Sequence, residues 1–354
     1  MSAKTFLLLV LLAPSLAWAQ GFAGLGTSAD EGFSVPARGT QLTFPGDHGP
    51  HPSYRIEWWY LTVVLEGEDG RDYGAQWTLF RSALAPEAGE GWSAPQLWMG
   101  HAAVTTPKAH FVAERLSRGG VGQAGAQAEP FEAWIDEWSM RSTAPEGADA
   151  YSALRVAASG ADFAYTLVLE ADGPLVAHGD AGFSVKSAQG QASYYYSQPF
   201  FQVSGTLELP GGAVDVTGRG WLDREWSSQP LSEDQRGWDW FSLHLPGGER
   251  LMAFQLRQTG GTIYTSGTWI AADGTPDALP DGAIRFTALE ETAVAGRDVP
   301  TRWRVEIPSH GLDVTTRAVN PEAWMDTLFP YWEGPLRFEG SHAGVGYLEM
   351  TGYE

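Results

Sequence analysis

Short runs of aromatic and β-branched residues, separated by turn residues, limit the fold of this chain more than any other feature. One run covers residues 57–65 (EWWYLTVVL), followed by Glu-Asp-Gly at 68–70 and a returning run at 73–81 (YGAQWTLFR). Gly, Pro and Asp interrupt such runs about every 8 to 12 residues, a spacing typical of β-sandwiches and barrels. No segment keeps helical periodicity over three turns. The pattern predicts an all-β protein.

A weak internal repeat indicates two related β-domains. Residues 58–65 (WWYLTVVL) align with residues 238–245 (WDWFSLHL), and each segment precedes a glycine turn. The return strands end alike, at 75–81 (AQWTLFR) and 253–257 (AFQLR). A chain of 354 residues can hold two domains of about 100–200 residues each. Coincidence among tryptophan-rich strands is the alternative; otherwise the repeat predicts a junction near residue 226.

The first residues follow the pattern of a secretory signal peptide. Lys4 precedes an apolar run at 6–13 (FLLLVLLA), and Ala17 and Ala19 form an Ala-x-Ala cleavage pattern. The apolar run is shorter than the ~20 residues of a membrane span. Residues 1–19 are therefore expected to be cleaved near Ala19, with a buried N-terminal helix as the alternative. Residues 20–50, rich in Gly, Ser and Pro, are expected to form an extended N-terminal segment.

Composition narrows the classes of partner. The chain has no cysteine, so disulfides and thiolate metal sites are not available. Its net charge of −21 argues against nucleic acid and anionic membrane surfaces as partners. Sixteen tryptophans supply large aromatic surfaces for cores or for binding cavities. His48 and His51 have no partners at metal-ligand spacing, so we expect them to be solvated and expect no metal site.

Two carboxylates stand within an aromatic stretch at residues 218–227 (GRGWLDREWS). Alternate residues of a strand share a face, so Trp221, Asp223 and Glu225 point the same way. Burial and a second nearby acid both raise a carboxyl pKa. A protonated Asp223 could then protonate an alkene, while Glu225 directs water to the resulting cation. The alternative is that both acids pair with arginines at a domain junction.

The strand before this stretch supplies candidate ligand contacts. With Gly211-Gly212 taken as a two-residue hairpin loop, Gln198 opposes Glu225. Opposed residues share a face, and a bulge at Pro199 would reverse this assignment. Trp59 in the first aromatic run and His101 on an apolar strand complete the set. The predicted ligand-binding residues are Tyr194, Tyr196, Trp221, Gln198, Trp59 and His101.

Several of these motifs resemble the AttH / carotenoid 1,2-hydratase (hydroxyneurosporene synthase) family. They are EWWY at 57–60, YYYSQP at 194–199, WLDREW at 221–226, GWDWF at 237–241 and GYLEMTGY at 346–353. The resemblance runs from about residue 50 to the C-terminus. It implies two consecutive lipocalin-like antiparallel β-barrel domains, at residues 51–226 and 227–354. It also implies a bacterial source and hence a periplasmic location.

The resemblance implies different roles in different branches of the family. One branch hydrates the terminal double bond of acyclic carotenoids without a cofactor, and it implies a proton-donor role for Asp223. Tyr194 and Tyr196 stand where that branch has a His-x-Trp pair, and Trp221 stands where it has Tyr. The run DREWS at 223–227 looks like the AttH branch instead. That branch is encoded beside ABC-transporter components.

We therefore expect a periplasmic or secreted protein that binds an extended hydrophobic ligand such as a polyene, terpenoid or lipid. Hydratase-type catalysis by Asp223 and Glu225, with no cofactor, is the expected chemistry if it is an enzyme. One alternative is a non-enzymatic lipid-handling accessory of ABC transporter permease components. Another is a carbohydrate-active or carbohydrate-binding protein, because tryptophans stack on sugars and paired acids serve glycoside hydrolysis.

Overall fold

The computed structural model describes residues 32–229, 231–232 and 234–353. Within these ranges the chain forms two antiparallel, barrel-like β-sheets, which confirms the all-β prediction. Helical structure there is confined to 3-10 turns at Gly46–His48, Gly91–Ser93, Ala150–Ser152 and Pro308–His310. No helix in this part of the chain has the length and apolar character needed to cross a membrane. The predicted signal peptide, residues 1–19, lies outside the described residues.

The first sheet contains the first thirteen strands of the described chain. They are β1 (Ile56–Gly67), β2 (Asp72–Ala83), β3 (Gln96–Thr105), β4 (His110–Arg118), β5 (Ala124–Ala128), β6 (Phe131–Ile135), β7 (Trp138–Ser142), β8 (Ala153–Ser159), β9 (Ala164–Ala171), β10 (Val176–Ala177), β11 (Phe183–Val185), β12 (Ala192–Leu209) and β13 (Gly212–Ser227). The main path runs β4-β3-β2-β1-β13-β12-β9-β8-β7-β6-β5. The first strand, β1, therefore pairs with both β2 and β13.

The second sheet contains the ten strands that follow. They are β14 (Gln235–His244), β15 (Arg250–Gln258), β16 (Ile263–Ile270), β17 (Pro276–Leu279), β18 (Arg285–Val294), β19 (Arg297–Ile307), β20 (Leu312–Ala318), β21 (Trp324–Met325), β22 (Tyr331–Gly340) and β23 (Gly344–Met350). Its main path runs β17-β16-β15-β14-β23-β22-β20-β19-β18. The chain passes from one sheet to the other between Ser227 and Gln235.

Alternation along β1 gives its two faces to different cores. Trp59, Leu61 and Val63 point into the core of the first sheet. Tyr60 and Val64 point the other way, into a separate apolar cluster that joins the two sheets. Since both faces are covered, nearly every residue of the strand is buried.

The second sheet repeats this arrangement. Its first strand, β14, pairs with β15 and with the last strand, β23, as β1 pairs with β2 and β13. Phe241 and Leu243 point into the core of the second sheet. Trp240 lies in the cluster between the sheets. The strands that the internal repeat equates therefore occupy equivalent places, and the two sheets pack through the outer faces of these strands.

A buried ionic cluster lies where β1 begins and β2 ends. Glu57 is ion-paired with Arg81, and its Oε2 lies 3.2 Å from Nη2 of Arg224. Burial alone would raise the pKa of Glu57, but the charge of Arg81 and the contact with His51 hold it well below its ordinary value. All three partners in the carboxylate–arginine cluster are fully buried, so the cluster depends on complete pairing of its charges.

Residues before β1 cover the same end of the first core. The prediction that His48 and His51 are solvated is wrong, because this segment folds back over the barrel. His48 is fully buried, and its Nδ1 lies 2.7 Å from the hydroxyl of Tyr196. The ring of His51 stacks on Trp226 with centroids 3.9 Å apart.

The hairpin of β12 and β13 changes register part-way along its length. Near the turn, even-numbered residues oppose odd-numbered ones, with the parity that the sequence predicts. A β-bulge between Gln198 and Phe201 then inserts one residue, so Ser197 opposes Asp223. The predicted pairing of Gln198 with Glu225 is wrong. The bulge reverses the faces of residues 193–198 relative to β13.

Candidate functional site

A cavity lies between the outer faces of the two sheets. The empty space in the cavity and at its mouth, open solvent included, is about 880 Å³. Its wall is mostly aromatic and aliphatic, interrupted by three carboxylates, one lysine and one histidine. The lining residues are Trp58, Tyr60, Phe80, His101, Lys186, Tyr195, Asp223, Glu225, Leu231, Trp238, Trp240, Phe254, Leu256, Phe329, Tyr331, Glu349 and Thr351.

Asp223 on β13 accepts hydrogen bonds from three side chains. Tyr195 donates to Oδ2 at 2.7 Å and Trp221 donates to Oδ1 at 2.6 Å. Ser197 donates to Oδ1 as well. Because each carboxylate oxygen accepts about two hydrogen bonds, one position remains on Oδ2. Burial raises the pKa of Asp223 to about 7 against the opposing effect of the three donors. Near neutral pH this carboxyl can hold a proton, and Oδ2 has the room for it.

A buried histidine forms a hydrogen bond with Ser197. His178 Nε2 lies 2.6 Å from Ser197 Oγ, and its Nδ1 lies 2.9 Å from Oγ1 of Thr268 on the second sheet. Burial, assisted by the charge of Lys186, lowers the pKa of His178 to about 3, so the ring is neutral. A neutral ring protonated on Nε2 donates to Ser197, which leaves the serine hydroxyl to donate to Asp223.

Glu225 faces the same cavity as part of an ion pair. Lys186 Nζ lies 2.8 Å from Glu225 Oε1. The same ammonium group lies over the rings of Tyr195 and Phe254, 4.6 and 4.5 Å from their centroids, at cation–π distance. The alternative of a structural ion pair thus applies to Glu225, with a lysine in place of an arginine. Asp223 forms no ion pair within the described part of the chain.

Two further carboxyls come from the second sheet. Glu349 on β23 lines the cavity and accepts a hydrogen bond from Nε1 of Trp238 at 2.6 Å. Glu333 on β22 directly opposes it and accepts from the hydroxyl of Tyr60 at 2.5 Å. Burial raises the pKa of Glu349 to about 7. Burial, together with the neighbouring charge of Glu349, raises the pKa of Glu333 well above its ordinary value.

His101 reaches the cavity from β3. Its Nδ1 lies 3.0 Å from the hydroxyl of Tyr331, and its Nε2 lies 3.1 Å from Oε1 of the partly exposed Glu114. Burial lowers the pKa of His101. The ring therefore acts at neutral pH as a hydrogen-bonding link between Tyr331 and Glu114, and not as a charged group.

The structure brings half of the predicted site residues together. Asp223, Glu225 and His101 line the cavity. Trp221 lies beside it, fully buried, with its ring N–H on Asp223. The shared face of Trp221, Asp223 and Glu225 on β13 is as the strand alternation predicts.

The other four predicted residues do not line this cavity. Tyr194, Tyr196 and Trp59 lie in the core of the first sheet. Gln198 lies at the bulge, where its side chain hydrogen-bonds to backbone groups. The prediction that Tyr194, Tyr196 and Gln198 share the face of Asp223 is wrong, because the bulge turns them to the other side of the sheet.

Several residues of the site were not predicted. Tyr195 and Ser197 alternate with the predicted Tyr194 and Tyr196, so they lie on the opposite face of the strand. A bulge at Pro199 would have assigned them to the face of Asp223. Lys186 and His178 precede β12 in short strands and loops and carry no motif. Glu349 belongs to a family motif at 346–353, but its position in the same cavity as Glu225 depends on how the sheets pack.

No group of three or more potential ligands in the described residues has the arrangement of a metal site. The acidic side chains of the cavity are instead hydrogen-bonded to ring N–H groups and hydroxyls, or ion-paired with Lys186.

Comparison with known proteins identifies the family of this chain. Residues 35–353 match the AttH-like family. The chain belongs to this family. A crystal structure described as that of an AttH protein from Nitrosomonas europaea is 31% identical, with a TM-score of 0.80, and the match covers 91% of this chain and all of that one. These matches confirm the resemblance read from the motifs and the lipocalin-like fold.

A second similar structure extends the fold comparison of this AttH-like chain. Kievitone hydratase from Nectria haematococca matches with a TM-score of 0.66 and 17% identity, over 91% of this chain and 98% of that one. At this identity the match shows a shared fold. No curated protein sequence matched the chain.

Proposed function

We propose that this AttH-like protein binds an elongated apolar molecule, such as a polyene, terpenoid or lipid, between its two sheets and adds water to one of its double bonds. The observation that carries the proposal is Asp223. It is a buried carboxyl with a pKa of about 7, oriented by three donors, in the wall of an aromatic cavity. General acids work best when their pKa lies near the working pH.

The proposed reaction transfers one proton and adds one water molecule. Asp223 gives its proton to one alkene carbon, and the π electrons of the double bond form the new C–H bond. The adjacent carbon becomes a cation, which the electron-rich ring face of Trp240 in the cavity wall stabilises. Water forms the C–O bond and releases a proton, which returns to the Asp223 carboxylate. Glu225, fixed by Lys186, accepts a hydrogen bond from the water and orients it.

The hydratase among the similar structures supports this reaction class through its shared fold, and the apolar lining favours a hydrocarbon over a sugar. We also propose that the protein works in the periplasm after cleavage near Ala19. The mass of protein isolated from that compartment would then match a chain beginning at Gln20. A lipid-handling accessory of an ABC transporter would use the same cavity without turnover.

The proposal is tested with acyclic isoprenoids that carry a terminal trisubstituted double bond, using geraniol and squalene as probes in ¹⁸O-labelled water. Wild-type protein should yield an alcohol with one ¹⁸O atom, detected by mass spectrometry. Asp223→Asn should bind the probe but form no labelled alcohol. Asp239→Asn is the matched control, since Asp239 is also fully buried but hydrogen-bonds to Gln255 and Tyr353 away from the cavity.

Full activity of the Asp223→Asn variant would refute the acid role. Tight binding of the probes by wild-type protein without any labelled product would instead favour the transporter-accessory function.

A further inference from the structure

The half of the cavity around Lys186 contains a buried ammonium group, which is that of the lysine itself. The ammonium group of Lys186 lies between the carboxylate of Glu225, at 2.8 Å, and the rings of Tyr195 and Phe254. Carboxylate and aromatic faces together replace the water that an ammonium group loses on burial. This half shows what composition of wall the fold uses for a buried cation.

The half of the cavity around Glu349 also combines a carboxylate with aromatic rings, but no lysine or arginine of the described residues lines it. Glu349 lines it beside the aromatic rings of Tyr60, Trp238 and Tyr331. Glu333 directly opposes Glu349 on the neighbouring strand, where side chains on one face lie about 5 Å apart. Neither glutamate forms an ion pair with a basic side chain in residues 32–229, 231–232 or 234–353.

An unused acceptor points to a missing partner at this place. Glu333 is 1% exposed, and its Oε1 accepts the hydroxyl of Tyr60. Its Oε2 is buried and makes no hydrogen bond of standard geometry within the described part of the chain, although the hydroxyl of Tyr331 interacts with this carboxyl and favours its ionised form. Two adjacent carboxyls buried away from water cannot both be ionised without a counter-charge. They must either retain a proton or bind a cation from solution. A cation bound against Glu349, which lines the cavity, would offset the negative charge of the pair.

We infer that the Glu349 half of the cavity is a binding site for an organic cation, and that the ligands of this protein include amphiphiles with an alkylammonium head and an apolar tail. The head lies against the Glu349 carboxylate and the rings of Tyr60, Trp238 and Tyr331. The tail occupies the apolar remainder of the cavity. The inference stands independently of the hydratase proposal, although the same wall would also stabilise a carbocation formed by proton transfer from Asp223.

The site has a defined pH dependence. Burial raises the pKa of Glu349 to about 7, so a cation competes with a proton there at lower pH. Binding of a permanent cation should therefore strengthen as pH rises from 6 to 8. The titratable and charged groups around Glu349 come from both sheets; they are Glu333 and Tyr331 on β22, Tyr60 on β1, His101 on β3, Asp223 and Glu225 on β13, Tyr195 on β12, and Lys186.

Two amphiphiles of matched size test the inference directly. Dodecyltrimethylammonium carries a permanent charge, whereas N,N-dimethyldodecylamine N-oxide is neutral overall at pH 8 and has the same tail. Binding to full-length mature protein is measured by calorimetry below micelle formation, at about 0.15 M salt, where exposed charges are screened beyond ~8 Å. We expect the ammonium to bind at least roughly tenfold more tightly at pH 8 and to lose most of that preference at pH 6.

Matched variants separate the site from the acidic surface. Glu349→Gln should abolish the preference for the ammonium. Glu339→Gln, the same change at an exposed position on β22, should leave it intact. Asp223→Asn should keep most of it, so that loss of hydration and loss of cation binding are distinguishable. Equal affinity of wild-type protein for the two amphiphiles would overturn the inference, as would an equal loss in the two glutamine variants.

Discussion

Replacing Asp223 by Asn should change how stability depends on pH. In the folded protein burial raises the pKa of Asp223 to about 7, from an ordinary value of 3.8. The folded state therefore binds this proton more tightly than the unfolded state does. Ionisation of Asp223 costs folding free energy, and the cost grows as pH rises from about 4 and levels off above about 7. An Asn side chain has no such cost.

The size of the effect follows from the two pKa values. Their difference, 7 − 3.8, is about 3.2. Since a pKa difference of one corresponds to ~1.36 kcal/mol, full ionisation of Asp223 costs about 4 kcal/mol of stability. Part of this cost is already present at pH 5, so the change between pH 5 and pH 8 is about 2.5 kcal/mol. The hydrogen bonds that Asn makes differently from Asp affect both pH values alike and cancel in the comparison.

Urea denaturation at pH 5 and pH 8 measures the effect. The free energy of unfolding of Asp223→Asn, relative to that of wild type, should increase by about 2–3 kcal/mol from pH 5 to pH 8, which means that the variant becomes relatively more stable. Asp162→Asn, the same change at an exposed position, provides the control. If the difference between Asp223→Asn and wild type did not depend on pH, Asp223 would be ionised throughout, and its role as an acid near neutral pH would be refuted.

Three further substitutions test other parts of the structure. Glu57→Gln leaves its two buried arginines without a counter-charge, so urea denaturation should show a loss of about 3–5 kcal/mol of stability; a loss below about 1 kcal/mol would contradict the buried cluster. Tyr195→Phe removes a donor that favours ionised Asp223, so a carboxyl titration followed by ¹³C NMR should give an Asp223 pKa above the wild-type value; a lower value would contradict the hydrogen bond. Gly218→Ala places a Cβ atom in steric conflict with the carbonyl oxygen of Val64, so thermal unfolding should occur at lower temperature, and an unchanged midpoint would exclude this close approach.

The all-β fold was predictable because its signal is local. Alternation and turn spacing are properties of neighbouring residues, and each strand of the first hairpin carries them. The repeat was informative for the same reason. It equates Trp58 with Trp238, and the structure places both residues in the cavity wall, one from each sheet.

The assignment of residues to faces was predictable on β13 and not on β12. A strand without irregularity fixes its own alternation, as it does for Trp221, Asp223 and Glu225. The pairing of β12 with β13 depends on every residue between the hairpin turn and the site, and one inserted residue reverses it. Pro199 marked the place where this could happen, but a proline is compatible with either outcome.

The contribution of the second sheet to the site could not be predicted. Glu349 lines the cavity, and Glu333 lies beside it on the neighbouring strand, because the outer faces of β14, β22 and β23 pack on the first sheet. That packing follows from the shapes of two separately folded surfaces, for which the sequence contains no local pattern. Acidic residues on strands usually indicate exposure, and only the structure shows that these two are buried.

The location of a bound ligand tests the central claim most directly. The measurement is a crystal structure of the protein with a bound acyclic isoprenoid such as squalene. We predict electron density between the two sheets, in contact with Trp58 and Trp238, with a double bond within reach of Oδ2 of Asp223. Density inside the core of the first sheet, against Tyr194 and Tyr196, would contradict the account.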